Sequence, residues 1–199
     1  DSHTQIKHAK LFADRLNIFI SKVLNKKQLL FLDCGCGLGF IAREYKKISN
    51  NIVYYCDPSE SVGEIHKKFY NDENFFQSDI QNLNNFSNKL DIIYLREVYP
   101  FTRDDNFENQ KKLIKILNQQ LNSNGILIFE QIKNKNDLMN NLKKFNFNFK
   151  IYFLPPIKWQ KFRFITKFSF TSFYFQLFIR LVYKILRKKI THFIIIKKF

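Results

Sequence analysis

The feature that most restricts the fold is an apolar run that ends in an acid and continues into alternating glycines. Residues 29–40 read Leu-Leu-Phe-Leu-Asp-Cys-Gly-Cys-Gly-Leu-Gly-Phe, and they hold three of the five glycines in the chain, Gly35, Gly37 and Gly39. Because glycine lacks Cβ and tolerates positive φ, such a turn lets a ligand approach the main chain. The pattern predicts a buried strand that leads into a tight ligand-binding turn.

Apolar spacing along the chain predicts strands that alternate with helices. We expect an N-terminal helix within residues 1–27 and strands at 28–33, 51–56, 74–77, 91–95, 126–131, 147–154 and 192–198. Further helices are expected at 40–47, 60–69, 106–121 and 137–145, and the Asn-Gly pair at 124–125 predicts a left-handed stop after the third of these. The alternation predicts a single doubly wound α/β domain over residues 1–199, with helices on both faces of the sheet.

The formal net charge of +16 is concentrated in the last third of the chain. Residues 138–199 carry 14 Lys and Arg and no acid, whereas residues 1–137 carry 19 bases against 17 acids. A basic, aromatic insert at 155–190 separates the last two expected strands, and residues 171–189 have helical spacing. Arg180 and Lys184 interrupt its apolar run well short of the ~20 residues that cross a bilayer.

Four interpretations of this insert remain open from the sequence. It can be a lid over the acceptor pocket, a contact of 157–190 with an anionic membrane, an RNA-binding surface, or a helix packed on the sheet with a solvated basic face. The absence of acids from residues 138–199 keeps the three interpretations that involve an anionic partner open beside the solvated helix.

The cysteines and histidines indicate no metal site. Cys34, Cys36 and Cys56 have no Cys-x-x-Cys spacing and no nearby pair of histidines. We interpret them as reduced thiols in a cytoplasmic protein. His8 and His66 are predicted to lie on helix surfaces.

Three acids follow the first three expected strands: Asp33, Asp57 and Asp79. An open doubly wound sheet binds its ligand beyond the carboxyl ends of the strands. Asp57 can accept both hydroxyls of a ribose, Asp79 can accept an exocyclic amine, and Asp33 suits an ammonium group better than a pyrophosphate. The alternative for each acid is a role as a helix cap or turn residue.

Five segments in this order resemble the class I S-adenosylmethionine-dependent methyltransferases. They are residues 31–39, 55–59, 77–80, 90–94 and 121–127, and together they span about residues 29 to 130. The resemblance implies a Rossmann-like sheet of seven strands in the order 3-2-1-4-5-7-6, in which strand 7, at 192–199, is antiparallel.

The resemblance also implies S-adenosylmethionine as the methyl donor, with S-adenosylhomocysteine as its product. The amino-acid part of the donor would lie against Asp33 and the glycine turn, and its ribose against Asp57. Adenine would lie against Asp79 and Ile80. The complete set of residues expected to bind the cofactor is Asp33, Gly35, Cys36, Gly37, Gly39, Asp57, Pro58, Asp79, Ile80 and Arg96.

The acceptor is expected at the end of strand four, where residues 96–103 read Arg-Glu-Val-Tyr-Pro-Phe-Thr-Arg. Methyl transfer is an in-line displacement that mainly requires alignment, and a base helps when the acceptor is a hydroxyl. Glu97 is the candidate base, Tyr99 can orient a hydroxyl, and Arg96 and Arg103 suit a phosphate or carboxylate. The alternative is that Arg96 and Glu97 form a local ion pair.

The segment 96–103 more weakly resembles methyltransferases that modify sugars of bacterial surface polysaccharides. We therefore expect O-methylation of a small-molecule or sugar acceptor, anionic and nucleotide- or phosphate-linked. An RNA methyltransferase is the alternative enzyme, although no Asn-Pro-Pro-Tyr motif follows strand four. A further alternative is a membrane- or RNA-associated binding protein that retains the fold.

Overall fold

The computed structural model describes residues 2–24, 28–71, 73–102, 106–131, 135–155, 159, 162–186 and 192–198. The strands are β1 (Leu30–Cys34), β2 (Ile52–Asp57), β3 (Phe75–Gln77), β4 (Leu90–Arg96), β5 (Leu121–Gln131), β6 (Phe149–Phe153) and β7 (His192–Lys197). The helices are α1 (Ser2–Val23), α2 (Phe40–Ile48), α3 (Glu60–Ile65), α4 (Phe107–Gln120), α5 (Lys135–Lys144), α6 (Arg163–Thr171) and α7 (Phe173–Ile185). Helix α3 continues as a π-helical turn, His66–Tyr70, and a 3-10 turn covers Leu83–Asn85.

The seven strands form one sheet in the order β3-β2-β1-β4-β5-β7-β6. Strands β1 to β5 are parallel to one another, and β7 runs antiparallel to both β5 and β6. The predicted strand order and the antiparallel last strand are therefore confirmed. The order changes direction between β1 and β4, so the turns that follow these two strands meet at one edge of the sheet.

Side chains that alternate along the central strands build a core on each face of the sheet. On β1, Phe31 joins a core with residues of α1 and α2, and Leu32 joins the core with residues of α4 and α5 on the other face. The same alternation separates Ile92 from Ile93 on β4. Continuous apolar runs such as these are typical of parallel strands that are covered on both faces.

The chain between α4 and β5 differs from the prediction. Helix α4 ends at Gln120, and the Asn-Gly pair lies within β5 and does not form a left-handed helix stop. The strand is irregular there, because Leu90 pairs with Leu121 and Ile92 already pairs with Ile126. A Cβ on Gly125 would lie 2.9 Å from Leu121 Cβ. Position 125 therefore requires glycine because the backbone there lies too close to Leu121 for a side chain to fit.

The helix predicted at 171–189 corresponds to α7, which begins two residues later than predicted, and a further helix that was not predicted, α6, precedes it. Helix α6 ends at Thr171 and α7 begins at Phe173, because Ser172 is extended and its hydroxyl accepts the Phe175 N–H at 3.2 Å. Serine is a preferred residue at a helix start. The predicted end of this helix, residues 187–189, lies outside the described residues. Helices α6 and α7 lie between β6 and β7 in the chain.

Candidate active site

The glycine turn after β1 is tied to the neighbouring strand by backbone hydrogen bonds. The N–H groups of Gly35 and Cys36 both donate to the Cys56 carbonyl, at 2.8 and 3.0 Å. Gly35 has a φ of +74°, and a Cβ at this position would lie 2.8 Å from Val98 Cγ2. The main chain at Gly35 therefore lies so close to the segment that follows β4 that the side chain of any other residue would collide with it.

Asp57, at the end of β2, both shapes this turn and faces open space. Its Oδ2 accepts the Gly37 N–H at 2.9 Å, and its Oδ1 accepts the Ser59 N–H at 3.0 Å. The turn role that the sequence left open for this acid is thus present. Each carboxylate oxygen retains acceptor capacity, because an ionised carboxylate offers about four lone-pair sites.

One cavity of about 500 Å³ joins the ends of β2, β3 and β4. The predicted site residues that line it are Gly35, Asp57, Pro58, Asp79, Ile80, Arg96, Glu97 and Tyr99. The predicted residues Asp33, Cys36, Gly37 and Gly39 do not line this cavity. Arg103 lies outside the described residues. The structure thus brings two of the three expected cofactor acids, Asp57 and Asp79, to one space with the expected acceptor residues Arg96, Glu97 and Tyr99.

Asp79 and Ile80 form the end of the cavity beyond β3. Asp79 Oδ1 accepts the Asn82 N–H at 2.9 Å, which makes this acid a turn residue as well as a lining residue. Ile80 is buried and belongs to the core on the α4 face of the sheet. An apolar wall beside a carboxylate suits a flat heterocycle that carries a hydrogen-bond donor.

Asp33 is a buried carboxyl at the end of β1. Burial raises its pKa to about 7 from the ordinary 3.8, and the nearby charges of Asp57 and Glu130 act in the same direction. The guanidinium of Arg96 acts against this rise. A buried acid with such a pKa is poised to ionise when a cation arrives beside it.

A buried network around Glu130 was not predicted. Glu130 lies near the end of β5, where Oε1 accepts Arg15 Nη2 of α1 at 2.5 Å and Oε2 accepts the Tyr94 hydroxyl. Burial and the charge of Glu130 raise the pKa of Tyr94 well above its ordinary value. The sequence held two indications of this buried ion pair: an acid inside the apolar run 126–131, and an arginine beside Leu16 on the apolar face of α1.

Arg96 is held by this same network. Its Nε lies 3.7 Å from Glu130 Oε1, and its guanidinium lies 4.9 Å from the centre of the Phe12 ring. The Arg96 side chain remains 37% exposed and lines the cavity. The neighbouring Glu97 has a φ of +53°, and its N–H donates to the Glu130 carbonyl at 3.1 Å. Glu130 therefore supports both residues expected at the acceptor end.

The prediction that His66 lies on a helix surface is wrong, because the side chain is fully buried. Its Nδ1 lies 3.1 Å from Arg43 Nη2, which can only donate, so Nδ1 accepts and Nε2 carries the proton. Nε2 then donates to the Gly37 carbonyl at 2.9 Å. The ring also stacks on Phe75, with the centroids 4.3 Å apart. A neutral histidine thus supports the glycine turn through its hydrogen bond to the Gly37 carbonyl. His8, in contrast, is exposed as expected.

The three cysteines are free, and Cys34 and Cys56 are buried. Burial raises the pKa of Cys36 far above its ordinary value, and the charge of Asp33 adds to this rise. Since the thiolate is the nucleophilic form, the Cys36 thiol is unsuited to nucleophilic chemistry. The carboxylates of Asp57, Asp79 and Glu97 line the cavity together with Arg96 and Tyr99, and these groups can bind a ligand.

Comparison with known proteins agrees with this arrangement. Residues 32–129 match the family described as "Methyltransferase domain". No curated protein matches the chain. A plantazolicin methyltransferase solved with SAH superposes with a TM-score of 0.62 at 18% identity, over 100% of this chain and 87% of that one.

Two other solved methyltransferases share the fold. The magnesium protoporphyrin IX methyltransferase of Synechocystis PCC 6803, with bound SAM, has a TM-score of 0.54 at 18% identity, over 95% of this chain and 79% of that one. A precorrin-6y C5,15-methyltransferase from Geobacter metallireducens GS-15 has a TM-score of 0.51 at 13% identity, over 70% and 74% of the two chains.

The strand order and the antiparallel β7 define a Rossmann-like methyltransferase fold. Together with the family match, this identifies the chain as a class I S-adenosylmethionine-dependent methyltransferase. Its cosubstrate is S-adenosylmethionine, which becomes S-adenosylhomocysteine.

Proposed function

We propose that this enzyme methylates a hydroxyl oxygen of a small anionic acceptor of the sugar class, carried on a nucleotide or phosphate. The observation that carries the proposal is one cavity lined by Asp57 and Asp79 at one end and by Arg96 and Glu97 at the other. A cavity of about 500 Å³ falls within the size range of small-molecule sites.

The residues at the first end fit the methyl donor. Asp57 would accept the ribose hydroxyls, Asp79 and Ile80 would hold the adenine, and the buried Asp33 would face the ammonium group. Pro58 lines the same end, and the glycine turn, including Cys36, Gly37 and Gly39, would hold the amino-acid part. The bound donor supplies a methyl group on a positively charged sulfur.

The residues at the second end fit an anionic acceptor with a hydroxyl. Glu97 is placed by its backbone bond to the Glu130 carbonyl, so its carboxylate can take the proton of an acceptor hydroxyl. Tyr99 is 64% exposed at the cavity and can orient the acceptor. Arg96, anchored by Glu130 and Phe12, can bind a phosphate or carboxylate. Arg103 is proposed as a second anion-binding residue because of its position in the segment 96–103.

The weak resemblance of residues 96–103 to sugar-modifying methyltransferases of surface-polysaccharide pathways supports the sugar class. The names of the solved relatives point to other acceptors, namely plantazolicin, a porphyrin and a precorrin. At 13–18% identity these relatives show the fold alone, so their acceptor classes belong in the test as competitors.

The test is methyl transfer from donor labelled in the methyl group to a panel of acceptors. The panel contains nucleotide-linked sugars, sugar phosphates, neutral sugars, a porphyrin, a desmethylplantazolicin analogue and a short RNA. We expect labelling of an anionic sugar, with the label recovered as an O-methyl ether. Labelling of RNA alone, or of a nitrogen, would contradict the proposal.

Glu97→Gln tests the base on whichever acceptor is labelled. We expect turnover to fall about 100-fold or more while the affinity for S-adenosylhomocysteine stays unchanged. The matched control is Glu64→Gln, because Glu64 is an exposed acid of α3 that does not line the cavity. Unchanged turnover in Glu97→Gln would show that Glu97 is not the base.

Asp57→Ala tests the cofactor end by calorimetry with S-adenosylhomocysteine. We expect binding to be lost, because the change removes the proposed ribose acceptor and the support of the Gly37 N–H. Thermal unfolding of the variant separates loss of the site from loss of the fold. Undiminished affinity in a folded variant would remove Asp57 from the site.

A further inference from the structure

Apolar side chains are exposed on the insert far more than elsewhere. Of the 14 large apolar side chains that are exposed in the described part of the chain, ten lie between residues 162 and 186. Two of them, Phe173 and Tyr174, are 71% and 83% exposed. Isolated exposed apolar residues are ordinary, but a concentration of this kind marks an interaction surface.

Helix α7 presents these side chains as one stripe, which we call the outer face of α7. Phe173, Leu177, Leu181 and Ile185 follow one another at intervals of four residues and are all exposed. Residues four apart are neighbours on one side of a helix. Tyr174 and Phe178 widen the stripe.

The opposite side of α7 is fixed to the sheet. Ile179 and Tyr183 are buried, and the Gln176 amide is hydrogen-bonded to the edge strand β6. Its Oε1 accepts the Phe153 N–H at 2.6 Å, and its Nε2 donates to the Phe153 carbonyl at 3.0 Å. The amphipathic helix is therefore held with its apolar stripe turned away from the protein.

Cations border the stripe. Arg180 and Lys184, one turn apart, are exposed three residues after Leu177 and Leu181 respectively. Lys167 is exposed on the adjacent helix α6. No acid occurs anywhere in residues 138–199, so nothing within this region neutralises the border. An apolar stripe with exposed cations along it is complementary to an anionic bilayer surface.

We infer that the outer face of α7 docks the enzyme peripherally on an anionic membrane, with the apolar side chains at the headgroup boundary and the cations against lipid phosphates. Within the described residues no helix is long and apolar enough to cross a membrane. This face would therefore lie on the bilayer. The inference does not depend on the identity of the methyl acceptor.

Two other occupants fit this surface less well. A second copy of the chain, which also carries a net charge of +16, would bring cations against cations. An RNA strand would stack on aromatic rings, but Leu177, Leu181 and Ile185 offer it no ring to stack on. The mixture of aliphatic and aromatic residues instead matches an acyl boundary.

The experiment is cosedimentation with vesicles of phosphatidylcholine alone and of phosphatidylcholine mixed with phosphatidylglycerol. We expect binding to the anionic vesicles only, with an affinity that falls as salt is added. The double variant Phe173→Ser/Leu181→Ser should bind about ten-fold more weakly or worse, because two apolar side chains no longer leave water. The matched control is Phe69→Ser, since Phe69 is 68% exposed but lies far along the chain in the π-helical turn.

A second variant pair tests the cations. Arg180→Gln/Lys184→Gln should lose about ten-fold in affinity for the anionic vesicles and most of the salt dependence. Lys112→Gln/Lys115→Gln, which removes two exposed charges from α4, should bind like the parent. Circular dichroism confirms that each variant is folded.

Four results would overturn the inference. They are absence of vesicle binding at low salt, equal binding by all variants, tighter binding to RNA that Arg180→Gln/Lys184→Gln abolishes, and a dimer in sedimentation velocity that Phe173→Ser/Leu181→Ser dissociates. The last two would assign the face to a polyanion or to a second copy of the chain.

Discussion

The pKa of Asp33 predicts that cofactor binding depends on pH in a definite window. Burial raises this pKa to about 7, so the carboxyl is largely protonated in the free enzyme below that pH. In the proposed site this carboxyl faces the ammonium group of the cofactor, which the ionised form would bind best. Binding therefore requires the release of one proton when the pH is below 7, and the affinity rises with pH up to about 7.

The expected magnitude follows from the fraction of ionised Asp33. That fraction falls about ten-fold for each pH unit below 7, so the affinity at pH 5 should be about 100-fold weaker than at its plateau. This corresponds to about 2.7 kcal/mol. The α-amino group of the ligand stays protonated throughout this window, because such groups titrate near pH ~8.

The assay is titration calorimetry with S-adenosylhomocysteine between pH 5 and 7.5, in two buffers that differ in ionisation enthalpy. Parent enzyme should release close to one proton per ligand at pH 6, whereas Asp33→Asn should bind weakly with no pH dependence. Refutation would come from a parent affinity that is flat over this range, or from a slope that persists in Asp33→Asn.

The same pKa predicts how the stability of the ligand-free fold changes with pH. The folded carboxyl has a pKa of about 7 against an ordinary 3.8, so between these values the folded state binds more protons than the unfolded one. Stability from this group is full below about pH 4 and is lost as the pH rises through 7. Asp33→Asn should therefore unfold at higher urea than the parent at pH 8, and by a smaller margin at pH 5.

Two further predictions concern residues around the site. Glu130→Gln should lower the free energy of unfolding by about 3–5 kcal/mol in urea titrations, because it removes the carboxylate charge that pairs with the buried Arg15 guanidinium. The double variant Arg15→Met/Glu130→Gln should recover part of this loss. Gly35→Ala should cost more stability than Gly37→Ala, since both have positive φ but only a Cβ at 35 meets Val98, and equal losses would show that backbone strain alone decides the cost.

Much of the cofactor end follows from consecutive residues. An apolar run of this length predicts a buried strand. Gly35 and Gly39 predict a turn, because other residues rarely adopt the positive φ found at these positions. Acids placed directly after strands, such as Asp57 and Asp79, reach the same edge of any parallel sheet. The error of local structure at 121–125 arose where the chain packs closely against itself, and the helix predicted from residue 171 begins two residues later because the Ser172 hydroxyl caps it.

Consecutive residues are enough to predict the alternation of strands and helices, the glycine turn and the acids at the strand ends, because each depends on neighbours within a few residues. They do not predict that Arg15 meets Glu130, 115 residues further along, or that His66 lies buried beneath the Gly37 carbonyl. Such pairs form only when the sheet order and the helix packing bring distant segments together. The outer face of α7 depends on both kinds of information. Its periodicity is visible in the local sequence, but its exposure depends on how Gln176 holds the helix to β6.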